Sequence, residues 1–83
     1  MLLLNGKYES ITGSDLERDG MFLEVSESPY NALEVILEIF YSDSTNDFSI
    51  TLFEENVALE VIEEAIKIAK YRLVPVEQKE KSK

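Results

Sequence analysis

One stretch of this chain carries a long helical stripe, and there is only one such stretch. Leu59, Ile62, Ala65, Ile66, Ala69 and Leu73 recur at helical spacing, while Glu60, Glu63, Glu64, Lys67 and Lys70 lie mostly off that line. Acidic residues gather at the front of the segment and Lys67, Lys70 and Arg72 at its end, which is the order the helix dipole favours. Asn56 is a suitable N-cap and Pro75 a stop, so the pattern predicts a helix over residues 57–73 whose buried side includes Leu59, Ile62, Ile66 and Ala69. A single amphipathic helix needs something flat to cover. In a chain of 83 residues that leaves room for one core and one sheet.

The rest of the sequence supplies strands. Leu2 to Ile11 reads as a first strand, followed by the turn-forming run Thr12-Gly13-Ser14-Asp15. Arg18-Asp19-Gly20 marks a second turn, and Met21, Leu23 and Val25 then alternate with more polar neighbours as in a half-buried strand. Pro29 interrupts the ladder. Residues 33–41 fit two patterns: Leu33, Ile36, Leu37 and Phe40 form a helical stripe, whereas Leu33, Val35, Leu37, Ile39 and Tyr41 alternate as a strand. The strand is preferred, because Asp43-Ser44-Thr45-Asn46-Asp47 resembles a hairpin loop and Phe48, Ile50 and Leu52 alternate cleanly after it. The expected fold is α+β: an antiparallel four-stranded β-meander with one C-terminal amphipathic helix packed on one face. Residues 1–75 form the domain, and residues 76–83 a charged, disordered tail.

The charge distribution limits function. Seventeen Asp and Glu against eight Lys and Arg give a formal charge of −9, and from Asp19 to Ile66 twelve acidic residues occur without one Lys or Arg. Such a field repels nucleic-acid phosphates and anionic membranes and attracts basic proteins at long range. With no histidine and no cysteine, the usual general base, the Ser-His and Cys-His nucleophiles and the common zinc sites are all missing. Gly6, Gly13 and Gly20 are isolated and form no phosphate loop, and Asp43 to Asp47 lacks the central glycine of a calcium loop. The expectation is a non-enzymatic chain with no cofactor and no metal. The opening Met-Leu-Leu-Leu run is shorter than a signal or spanning segment, and the absence of cysteine suits a reducing compartment, so the expected location is the cytoplasm.

One helix covers one face of a sheet. On the other face alternation places Phe22, Phe40 and Phe53 with Glu24 and Glu38, and Asp43 and Asp47 flank the neighbouring turn. Glu24, Glu38, Asp43, Asp47, Phe22 and Phe40 are the six candidate partner-binding residues: carboxylates to set the association rate with a basic protein, aromatics to anchor it. A homodimer, in which that same face buries itself against a second copy in a structural or regulatory role, is the alternative.

Three runs carry a resemblance: Asp19-Gly20-Met21-Phe22-Leu23-Glu24, Glu38-Ile39-Phe40-Tyr41-Ser42-Asp43, and Val57-Ala58-Leu59-Glu60-Val61-Ile62-Glu63. Over roughly residues 17–75 the chain resembles a group of short bacterial proteins akin to the immunity proteins of polymorphic toxin systems, with Val57 where such relatives would carry proline. The resemblance implies a bacterial cytoplasmic protein that binds and blocks a basic toxin. It implies no catalytic residues.

Overall fold

The computed structural model describes residues 1–75. Five strands, β1 (Leu2–Leu3), β2 (Tyr8–Asp15), β3 (Gly20–Glu27), β4 (Leu37–Ser42) and β5 (Phe48–Leu52), form one antiparallel sheet in the order of the chain. A 3-10 turn at Ala32–Glu34 precedes β4, and one helix, α1 (Leu59–Arg72), follows β5. The α+β meander is therefore as the alternation predicts, with five strands in place of four.

The extra strand comes from a turn inside the expected first one. Leu4, Asn5 and Gly6 all adopt positive φ, and Gly6 N donates to Leu3 O, folding Leu2–Leu3 back onto Tyr8–Glu9. Asn-Gly is the dipeptide that tight hairpins favour. Conversely, Thr12 to Asp15 is no turn: these residues continue β2 and pair with Leu23 to Gly20. The reversal falls at residues 16–19, where Asp15 Oδ1 accepts hydrogen bonds from the backbone N–H of Glu17 and Arg18. A side-chain acceptor positioned two and three residues upstream is what nucleates this turn. Of residues 33–41, only the part from Leu37 is strand, and Ala32–Glu34 is the 3-10 turn, with Asn31 Oδ1 accepting from Leu33 N.

The helix starts later than expected and shows a different side to the sheet. It runs from Leu59 to Arg72, its N-cap is Ala58 with no side-chain cap, and Asn56 plays no capping part. Val61, Ala65, Ala69 and Leu73, spaced at i, i+4, i+8 and i+12, are the buried residues, with Ile62 and Ile68 partly buried beside them. Of the expected buried side only Ala69 is fully inside; Ile62 is half-buried, and Leu59 and Ile66 are exposed. The physical reason is size. Two alanines let the helix backbone approach the sheet closely, and the larger Leu59 and Ile66 are turned to its flank. Beneath it lie Leu3, Leu23, Val25, Leu37, Ile39 and Tyr41, all buried. Glu64 Oε1 accepts from Leu4 N (3.3 Å), tying the helix to the first turn.

Helix α1 packs on β1 to β4. Strand β5 extends past its cover, and all of its residues are exposed. Among the described residues no helix is long and apolar enough to cross a membrane. The expectation for residues 76–83 lies outside the described residues.

Candidate partner-binding surface

The face of the sheet away from α1 is built in cross-strand rows. One row is Gly13, Phe22, Phe40 and Ser49; the next is Ile11, Glu24, Glu38 and Thr51. The tip of the Phe22 ring lies over Gly13, where a Cβ would come within 2.7 Å of it, and that of Phe40 lies over Gly20. At Gly20 a Cβ would also collide with the Tyr41 carbonyl, so only glycine fits there. Both candidate aromatics are thus half-buried against the sheet, held down by glycines on the neighbouring strand.

Glu24 and Glu38 face each other directly across β3 and β4, an unfavourable like-charge pair in isolation. Each has its own partner. Arg18 grips Glu38 with both terminal nitrogens, at 3.0 and 2.7 Å, while its Nε bonds Asp15 Oδ2 at 2.6 Å. Its guanidinium sits 4.3 Å from the Phe40 ring centroid, a cation–π stack. These bonds, first to Glu38 and then to Asp15, push the Arg18 pKa above its ordinary value, and the hydrogen bond from Arg18 holds the Asp15 carboxyl below its own. Glu24 accepts a 2.6 Å hydrogen bond from the Tyr30 hydroxyl. Desolvation, then this bond to a carboxylate, push the Tyr30 pKa up to about 12.

Segment 28–36 crosses this end of the face. Tyr30 N donates to Glu9 Oε1 and Asn31 N to Ser26 Oγ, and Ile36 N to Val25 O brings the chain back into the sheet. Between that segment, the end of β3 and the end of β5 lies an open concavity of about 700 Å³. Glu24, Glu27, Glu34, Glu38 and Glu54 line it, together with Leu33 and Phe53, which are 93% and 58% exposed. Five carboxylates around a mostly exposed leucine and phenylalanine make a surface with both an electrostatic and an apolar component.

The six residues expected to act together are thereby divided. Glu24 and Glu38 line the concavity. Phe22 and Phe40 occupy the adjoining row, with Arg18 stacked on Phe40. Asp43 and Asp47 sit in the β4–β5 turn, Asp43 five residues past Glu38 and Asp47 four residues before Thr51, the cross-strand partner of Glu38, about 13–17 Å away at strand spacing. They belong to the opposite end of the sheet, where Asp43 N bonds Asp19 O. The sequence pattern overlooked Glu27, Glu34, Glu54 and Leu33, placed Phe53 on this face without making it a candidate, and overlooked Arg18, whose position outside the cation-free stretch hid its place here. Asp15 and Arg18, three apart beside a turn, were the available signal. Among the described residues no three His, Cys, Asp or Glu side chains converge as metal ligands.

No relative is found. The chain matches no family model, no curated protein and no solved structure.

Proposed function

We propose that this chain is a non-enzymatic binding protein that captures a basic protein at the acidic concavity, as an immunity-type inhibitor of a basic bacterial toxin. The observation that carries this reading is the concavity itself, with its five carboxylates around Leu33 and Phe53. Three of the carboxylates, Glu27, Glu34 and Glu54, are exposed and form no intramolecular ion pair among the described residues. They are the groups that steer a cationic partner, while Leu33 and Phe53 supply the apolar contact that slows its release. Arg18 neutralises Glu38 and so confines the acidic field to the mouth of the concavity.

The toxin reading predicts a basic protein encoded beside this chain. Its inactive form should associate quickly at low salt and more slowly as ionic strength rises, because the attraction acts over the Debye length. Replacing Glu27, Glu34 and Glu54 together with Gln should slow association about tenfold or more at low salt. The same change at Asp43 and Asp47 should alter it far less. Equal slowing by the two sets would show that net charge, and not the concavity, governs capture.

A further inference from the structure

We infer that a second copy of this chain docks on the open edge of β5, pairing β5 with β5 in antiparallel fashion about a two-fold axis at Ile50, perpendicular to the sheet. This goes beyond capture of a basic partner and uses a different surface.

The hydrogen-bond register defines what the edge offers. Ser42 N donates to Asp47 O and Phe53 N to Ile36 O, so residues 47, 49, 51 and 53 direct their backbone groups at β4. In an antiparallel ladder the alternate residues point the other way, so the N–H and C=O groups of Phe48, Ile50 and Leu52 face off the sheet. Among the described residues no strand lies beyond them. The side chains of the same three residues lie on the α1 side of the sheet, opposite Tyr41, Ile39 and Leu37. They remain 36%, 44% and 47% exposed. Proteins protect an exposed edge with lysine, proline, a bulge or extreme shortness. The other edge has the last of these, a two-residue β1. Strand β5, Phe-Ser-Ile-Thr-Leu, has no charge and no proline.

The edge is complementary to itself. Centred on Ile50, antiparallel pairing sets Ile50 against Ile50 and Phe48 against Leu52 of the second copy, each rung joining outward-facing backbone groups on both sides. A two-fold axis perpendicular to the sheet keeps both helices on one face. Between α1 and β5 runs a trough of about 230 Å³ whose walls include Ile39, Phe48, Ile50, Ile66 and Lys70. Pairing joins the two troughs into one apolar strip, flanked by two antiparallel helices. Charge agrees with this arrangement. Lys70 lies on the trough side of α1, and Glu63, seven residues earlier, lies on the same ridge towards the acidic start of the helix. The two-fold therefore turns the Lys70 end of each ridge towards the Glu63 end of the other. Both acidic concavities stay on the opposite face of the sheet.

Sedimentation equilibrium over a concentration series should give twice the chain mass, with association retained or strengthened as NaCl rises, the reverse of the salt response of basic-partner capture. Ile50→Lys should weaken self-association by at least about tenfold while leaving the circular dichroism spectrum intact. Because the chain has no cysteine, Ile50→Cys is a geometric probe. Mild oxidation should cross-link it into a covalent dimer much faster than Ile11→Cys, which places an exposed thiol elsewhere on the sheet. A monomer at every concentration, an undiminished dimer for Ile50→Lys, or equal cross-linking of the two cysteine variants would each overturn the inference.

Discussion

Strands β4 and β5 carry the same alternation, yet α1 treats them differently. Leu37 and Leu52 face each other across one rung, on the same face of the sheet, and are 0% and 47% exposed. Ile39 and Ile50 repeat the contrast one rung along. Alternation therefore assigns a side chain to a face, but the reach of the covering helix decides whether that face is core. With alanines at positions 65 and 69, α1 sits close over β1 to β4 and stops short of β5.

The largest expected effect separates two neighbours on the helix. Ala65→Asp puts a charge where the side chain is fully buried and should cost more than about 3 kcal/mol, enough to unfold a domain this small. Ile66→Asp, one residue on and exposed, should cost no more than about 1 kcal/mol in urea denaturation. Comparable losses would show that the helix is rotated from the position described. Next comes the rung itself: Leu37→Ala should cost about 3 kcal/mol and Leu52→Ala about 1 kcal/mol, measured at low protein concentration. Equal costs would mean that β5 is covered.

The helix-free face gives smaller effects. Arg18→Met keeps much of the stem over Phe40 but leaves Glu38 facing Glu24 uncompensated. It should cost about 1 kcal/mol, since the pair is partly exposed, and should speed capture of a basic partner by adding negative potential. The smallest effect is a pH dependence. The Tyr30 pKa is raised in the folded chain, so its contribution is fully present below the ordinary tyrosine value of 10.0 and is lost as pH climbs through about 12. Melting temperatures taken across that window should fall more steeply for the natural chain than for Tyr30→Phe.

Much of this fold is legible in the residues, and the losses have identifiable causes. Met21, Leu23 and Val25, and Phe48, Ile50 and Leu52, declare their strands by strict alternation. Asn5-Gly6 also carries a hairpin signal, but it hides behind an apolar run that looks continuous with Tyr8. Thr12 to Asp15 are turn formers held in strand by pairing with β3, a tertiary effect that overrides local preference. At the surface, periodicity places Glu24 and Glu38 together correctly because both obey the sheet's two-residue repeat. It does not bring in Glu34 or Leu33, which reach the concavity through the irregular segment 28–36, nor does it show that Asp43 and Asp47 stand at the far end of the hairpin.

The proposed docking of a basic protein at the acidic concavity is tested most directly by amide chemical-shift mapping of the labelled chain during titration with a basic protein, should one be encoded beside it. The perturbed amides should cluster at Glu24, Glu27, Leu33, Glu34, Glu38, Phe53 and Glu54, with the β4–β5 turn from Asp43 to Asp47 unchanged. Perturbations centred on that turn, or spread evenly over every acidic residue, would contradict it.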